Sequence, residues 1–265
     1  MKKAIIGFAG LTHLGLNSLV ACAERGFDII GFHEDDTLIQ NLRSGIINIK
    51  EPQLLEFYQK NCNKINFYSE PTLLKECDII YISTDVPTDN FGLSDLTSVN
   101  ALITSVIKNI NSNATLVILC QVPPGFTRTI NWPISQIYYQ VETLIFGRAM
   151  DRALNPERFI IGSSDKTKDL PIKYLNYLES FSCPILQMSF ESAELAKISI
   201  NMFLVSSVTT SNILAELCEK IGANWFEIIP ALKLDKRIGP FAYLNPGLGI
   251  AGGNLERDLR TVIDF

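Results

Sequence analysis

The sequence predicts an α/β fold, a parallel sheet covered by helices on both faces, followed by a helical segment. Three observations carry the prediction. Short apolar runs alternate with stretches of helical period, a glycine-rich turn follows the first run, and residues 189–222 are apolar at helical spacing without a proline.

In chain order, "KAIIG" (3–7) reads as the first buried strand and Leu16–Arg25 as the helix after it. "FDIIGF" (27–32), "INFY" (65–68), "CDIIYIS" (77–83) and "ATLVILC" (114–120) read as further strands, with a helix over Leu96–Ile110. From Ser189 the texture changes. "SFESAELAKISINMFLVSSVTTSNILAELCEKIG" predicts one long helix ending at Gly222, and "NWFEIIPALKLD" a second. A boundary is therefore expected near residue 188, with domains over 1–188 and 189–265. No internal repeat or low-complexity tract interrupts them.

Composition narrows the function. With 265 residues, 47% hydrophobic and 19% charged, the chain can bury a real core. A net charge of -5 without a Lys/Arg cluster argues against nucleic acid as a partner. No apolar run is expected to reach the roughly 18 residues of a membrane span, and the N-terminus turns glycine-rich too early for a signal peptide, so a cytoplasmic protein is expected. Cys22, Cys62, Cys77, Cys120, Cys183 and Cys218 are scattered without C-x-x-C spacing; they read as reduced core thiols, with no metal site.

The first strand runs into "GFAGLTHLGL", where a Rossmann-like doubly wound parallel sheet cradles a pyrophosphate at a helix N-terminus. Its glycines fall at 7, 10 and 15, off the strict G-x-G-x-x-G spacing. Either Gly10 and Gly15 take the first and third roles, with Thr12 crowding the second, or Gly7 opens a longer turn. The second strand ends in "FHEDD", where Glu34 or Asp35 would accept ribose hydroxyls. Lys197 and Asn201 are four apart and share a helix face, so ammonium and amide together could hold a developing alkoxide.

Taken in order, "EPQL" (51–54), "STDVPTD" (83–89), "SDLTSV" (94–99), "QVPPGFT" (121–127), "NPERFIIG" (155–162), "ELAKISINMF" (194–203), "DKRIG" (235–239) and "NPGLGIAGGNLERD" (245–258) resemble the UDP-glucose/GDP-mannose (nucleotide-sugar) dehydrogenases. The resemblance implies an NAD-binding Rossmann-like domain, a long-helix dimerisation segment and a homodimer acting on a nucleotide sugar. It also implies a C-terminal nucleotide-binding domain, before which this chain ends at Phe265. Cofactor contacts are implied at Gly7, Gly10, Thr12, His13, Leu14, Gly15, Glu34, Asp35, Thr84, Pro87, Thr88 and Gln121. Substrate contacts are implied at Arg158, Phe159, Ile160, Arg237, Tyr243, Gly249, Gly252 and Gly253. Lys197, Asn201, Asp258 and Glu157 take catalytic roles, and Asn254 stands where the family has its nucleophilic cysteine. An amide nitrogen, its lone pair delocalised, cannot replace a thiolate. Gln121 likewise replaces a threonine, and Ile161 a glutamate of many members. Three functions are therefore expected to compete: an NAD-dependent dehydrogenase limited to one hydride step, a non-catalytic NAD or nucleotide-sugar binder acting as partner or regulator, and a β-hydroxyacid-type dehydrogenase using Lys197 and Asn201.

Overall fold

A computed structural model describes residues 3–89, 92–142, 144–247 and 253–264. Strand β1 (Ile5–Ala9) leads through a turn into helix α1 (His13–Glu24), followed by β2 (Asp28–Phe32), α2 (Asp36–Arg43), α3 (Leu54–Asn61), β3 (Ile65–Tyr68) and β4 (Ile79–Ile82). Helix α4 (Thr97–Ile107), β5 (Thr115–Ile118), β6 (Ile137–Gln140), α5 (Ala149–Leu154), β7 (Phe159–Ser163), α6 (Ile172–Glu179) and β8 (Ile185–Ser189) complete the α/β part. The strands lie in the order β3-β2-β1-β4-β5-β6-β7-β8. Pairing is parallel from β3 to β6, the doubly wound arrangement, and β7 pairs antiparallel with β6 and parallel with β8.

The central strands β4, β5 and β6 are buried at every residue, which explains why the first two read as unbroken apolar runs. Helix α1 buries Leu14, Leu16, Leu19 and Val20 on one side of the sheet, in a core that includes Phe8, Tyr81 and Tyr177. The first strand begins two residues later than expected. That shift places Gly7 inside β1.

Contacts divide the chain into two compact units, one of residues 1–87 with 95–197, the other of 88–94 with 198–265. Helix α7 (Phe190–Ile221) begins in the first and continues into the second. The second unit adds α8 (Trp225–Leu234), capped by Asn224, and α9 (Gly253–Asp264). Its small core gathers Cys218, Trp225 and Ile229. By length and composition alone, α7 is long and apolar enough to cross a membrane, which corrects the expectation that no such segment exists. That expectation rested on unbroken apolar runs, whereas α7 reaches the same average with serines and threonines among its aliphatic residues.

Candidate active site

The dinucleotide turn is built on two glycines. Gly10 directly follows β1 with φ of +96°, a conformation that favours glycine, and a Cβ there would lie 2.8 Å from Thr84. Gly15 lets α1 pass directly over the turn; its Cβ would fall 2.0 Å from the Gly10 carbonyl oxygen. Gly7 is not part of the turn. It lies in β1, where a Cβ would meet Cys77 Sγ at 2.9 Å, so sheet packing replaces the expected cofactor contact. Thr12 precedes α1 without capping it. Its hydroxyl turns to the loop after β4, accepting from the Asp85 N–H at 3.1 Å and lying 3.4 Å from Ser83 O, which removes the crowding its side chain threatened. The first N–H groups of α1 therefore keep their capacity for an anion. The Leu14 side chain is buried in the core beneath α1.

A cavity of about 190 Å³ beside the turn is lined by Gly10, His33, Glu34, Thr84, Ala101 and Leu102. Here the structure separates the two acidic candidates. Asp35 caps α2, its Oδ1 accepting from the N–H groups of Thr37 at 2.8 Å and Leu38 at 3.2 Å. Glu34 lines the cavity and leaves the capping of α2 to Asp35. Pro87 O accepts from Asp95 N–H at 2.9 Å, closing the root of an excursion whose residues 88–94 group with the second unit. Thr88 pairs there with Ser94 in an antiparallel bridge.

Gln121 opens the loop after β5, half-buried. A residue that sequence reasoning missed holds this loop: Glu194, fully buried on α7, accepts from Gly125 N–H at 2.6 Å and Thr127 N–H at 2.9 Å. Burial pushes its carboxyl above the usual range, hydrogen bonds to Thr127 and Gly125 work the other way, and Glu191 adds to the rise. Its signal was present as the first letter of "ELAKISINMF".

Glu157 lies ahead of β7 with its side chain 62% exposed, paired to Arg152 at 3.3 Å and Arg158 at 2.9 Å. Arg152 and then Arg158 hold its carboxyl below the ordinary range despite partial burial. The carboxylate two residues past β6, at the carboxyl end of the parallel strands where doubly wound folds place ligands, is instead Glu142. Glu142 lines a small cavity of about 40 Å³ with Ser18, Tyr81, Gln140, Arg152 and Arg158. Phe159 and Ile160 lie within β7. Both side chains are buried, Phe159 N–H donates to Pro184 O at 2.8 Å, and Ile160 O accepts from Val141 N–H at 3.0 Å.

In the second unit the predicted helix face forms a specific pair. Asn201 is 7% exposed and Asp258 1%; the Asn201 amide donates to Asp258 Oδ2 at 2.5 Å. Lys197 stands one turn earlier on α7, half-buried. The lead-in to the glycine segment is tied down: Ser211 Oγ donates to Tyr243 O at 3.1 Å, Trp225 Nε1 to Leu244 O at 2.8 Å, and Gly247 N–H to Asn212 Oδ1 at 2.9 Å. The Tyr243 ring is 49% exposed. Arg237 is exposed and spends its guanidinium on Asp235 of its own turn at 2.6 Å. Gly249 and Gly252 lie outside the described residues, as does the Asn254 side chain; Gly253 opens α9.

A doubly wound sheet, a glycine turn under a helix N-terminus and a cavity with a carboxylate beside it define a dinucleotide-binding domain. Residues 2–177 match the NAD-binding domain of the UDP-glucose/GDP-mannose dehydrogenase family and residues 191–265 its central domain. The chain belongs to that family, and its cofactor is NAD. It is 29% identical over its whole length to the UDP-glucose 6-dehydrogenase TuaD of Bacillus subtilis, covering 59% of that protein. It is 28% identical over 96% of its length to a UDP-glucose 6-dehydrogenase of Rickettsia typhi, covering 61% of that one. Among solved structures, a UDP-glucose dehydrogenase of Pyrobaculum islandicum superimposes with a TM-score of 0.89 at 25% identity, over 99% of this chain and 64% of that one. The chain thus spans about 60% of the length of these curated relatives.

Proposed function

We propose that this chain carries the NAD-binding and central parts of a nucleotide-sugar dehydrogenase that oxidises an alcohol to an aldehyde and is impaired in the covalent second oxidation. The buried Asn201–Asp258 pair carries this reading, because burying an amide against a carboxylate at 2.5 Å fixes the amide's orientation. Bound NAD supplies the hydride acceptor. One amide hydrogen of Asn201 goes to Asp258, and the other can be donated to a substrate oxygen as negative charge develops on it. Lys197, on the same face, adds an ammonium donor to that oxygen. Asp258 is thereby suited to hold Asn201 in place. Asn254 in place of the cysteine supports the single-step limit.

Formation of reduced cofactor, followed by absorbance with NAD and UDP-glucose, GDP-mannose or small 2- and 3-hydroxy acids, tests the reading. Reduction with a nucleotide sugar and not with the acids is expected. Reduction with hydroxy acids alone would assign a β-hydroxyacid-type enzyme, and cofactor binding without any reduction would assign a binding protein.

The proposal includes a homodimer built on α7. Phe203 is 78% exposed, Ile213 62% and Ile221 68%, an apolar surface too large for one helix to leave in water without cost. Light scattering at micromolar concentration should give twice the chain mass; a monomer would refute the dimer.

A further inference from the structure

One buried carboxylate joins a side chain of α1 to the backbone that opens α5. The Glu51 side chain is 1% exposed. Its Oε2 lies 2.9 Å from His13 Nε2 and accepts from Gly147 N–H at 3.1 Å, while Oε1 accepts from Ala149 N–H at 2.8 Å. His13, the first residue of α1, reaches this group through its ring, whereas Ala149, the first residue of α5, donates its backbone N–H. Burial raises the Glu51 carboxyl, but the hydrogen bonds from His13, Ala149 and Gly147 outweigh it and hold the group below its ordinary range. A buried anion needs such donors, and here they come from three separate segments. On the outer side, the Phe146 ring, 79% exposed, rests 4.4 Å from the His13 ring, centroid to centroid. An exposed phenylalanine is thus held at the mouth of the dinucleotide turn.

We propose that Glu51 is a positioning residue that couples the cofactor turn to the segment of residues 145–149. A pyrophosphate at the N-terminus of α1 fixes His13, His13 fixes Glu51, and Glu51 fixes the amides of Gly147 and Ala149. By linkage, an ordered 145–149 segment strengthens cofactor binding in return. The proposal rests on the NAD reading and adds to it a residue outside the turn. It also gives "EPQL" a physical role.

NADH affinity by calorimetry and amide exchange of the full chain, with and without NADH, test the coupling, using Glu51→Gln, His13→Phe and the double variant. In the parent protein NADH should slow exchange at Gly147 and Ala149 by about tenfold. Each single variant should bind NADH about tenfold more weakly, the size of a lost charged hydrogen bond, and should lose that protection. The double variant should bind no more weakly than either single one, a non-additivity that a merely structural Glu51 would not produce. His13→Phe leaves both backbone bonds to Glu51 in place, so it decides the matter if Glu51→Gln does not fold. NADH binding to the parent without protection at 147 and 149, or additive losses, would overturn the coupling while leaving the cofactor reading intact. Absence of NADH binding to the parent would overturn the cofactor reading itself.

Discussion

Gly15→Ala should lower stability by about 3 kcal/mol, at the upper end of overpacking costs, and abolish NADH binding. The added methyl would sit 2.0 Å from Gly10 O and 3.0 Å from Ser83 O, both backbone atoms. Neither can rotate aside. The Gly10 carbonyl accepts from Ser83 Oγ at 2.8 Å, and its N–H donates to Phe32 O at 3.0 Å, so the turn is pinned to the neighbouring strands. Relief requires α1 to lift from the sheet, opening the core around Leu16 and Leu19 and moving the N–H groups that would meet the pyrophosphate. Alanine's better helix propensity offsets only about 1 kcal/mol. Gly45→Ala is the control, since no atom lies within 4 Å of its Cβ and only its φ of +78° opposes the change, at about 1 kcal/mol. Urea unfolding of both variants decides it. A Gly15→Ala midpoint equal to the parent's would show that α1 shifts freely.

What the sequence revealed of this fold follows burial. Strands β1, β2, β4 and β5 announce themselves because both faces are covered, so apolar residues run together, while β3 at the sheet edge exposes Asn66. β8, "ILQMS", is only half-buried, and its alternating polar residues dilute the signal. "IYYQ" in β6 ends on a buried glutamine whose Oε1 accepts from Tyr81 and Tyr174 hydroxyls, each at 2.9 Å, a pairing invisible along the chain. β7 lay inside "NPERFIIG", where the motif drew attention to Glu157 and away from the strand. The site divides in the same way. Spacing put Lys197 and Asn201 on one face because helical period is local. The pairing of Asn201 with Asp258 joins residues 57 apart and needed the fold. Glu51 and Glu194 are anchors for backbone N–H groups of distant loops, and backbone donors have no letter in a sequence. Asp35 and Glu34 look alike as neighbours; only the start of α2 assigns one to capping and leaves the other to the cavity.

One NADH per sugar consumed is the expected stoichiometry, with the aldehyde or its hydrate as product. A complete four-electron oxidation goes through a thiohemiacetal, in which a cysteine sulfur adds to the aldehyde carbon before a second hydride leaves. Asn254 can hydrogen-bond the aldehyde but cannot add to it, because its nitrogen lone pair is delocalised into the carbonyl. The nearest cysteine in sequence, Cys218, is 6% exposed in the small core of the second unit and cannot substitute. An aldehyde hydrate still carries a hydrogen on carbon, so slow acid formation is compatible with the proposal. Two NADH per sugar at the roughly 1 to 10³ turnovers per second typical of enzymes would defeat it. Asn254→Cys supplies the converse: acid yield should rise towards two equivalents only while Lys197, Asn201 and Asp258 are intact. In Asn254→Cys/Asn201→Ala it should fall back to the level of Asn201→Ala alone, since groups that act as a unit lose their effects together. A rise in acid yield that survives loss of Asn201 would place the second oxidation outside the Asn201–Asp258 pair.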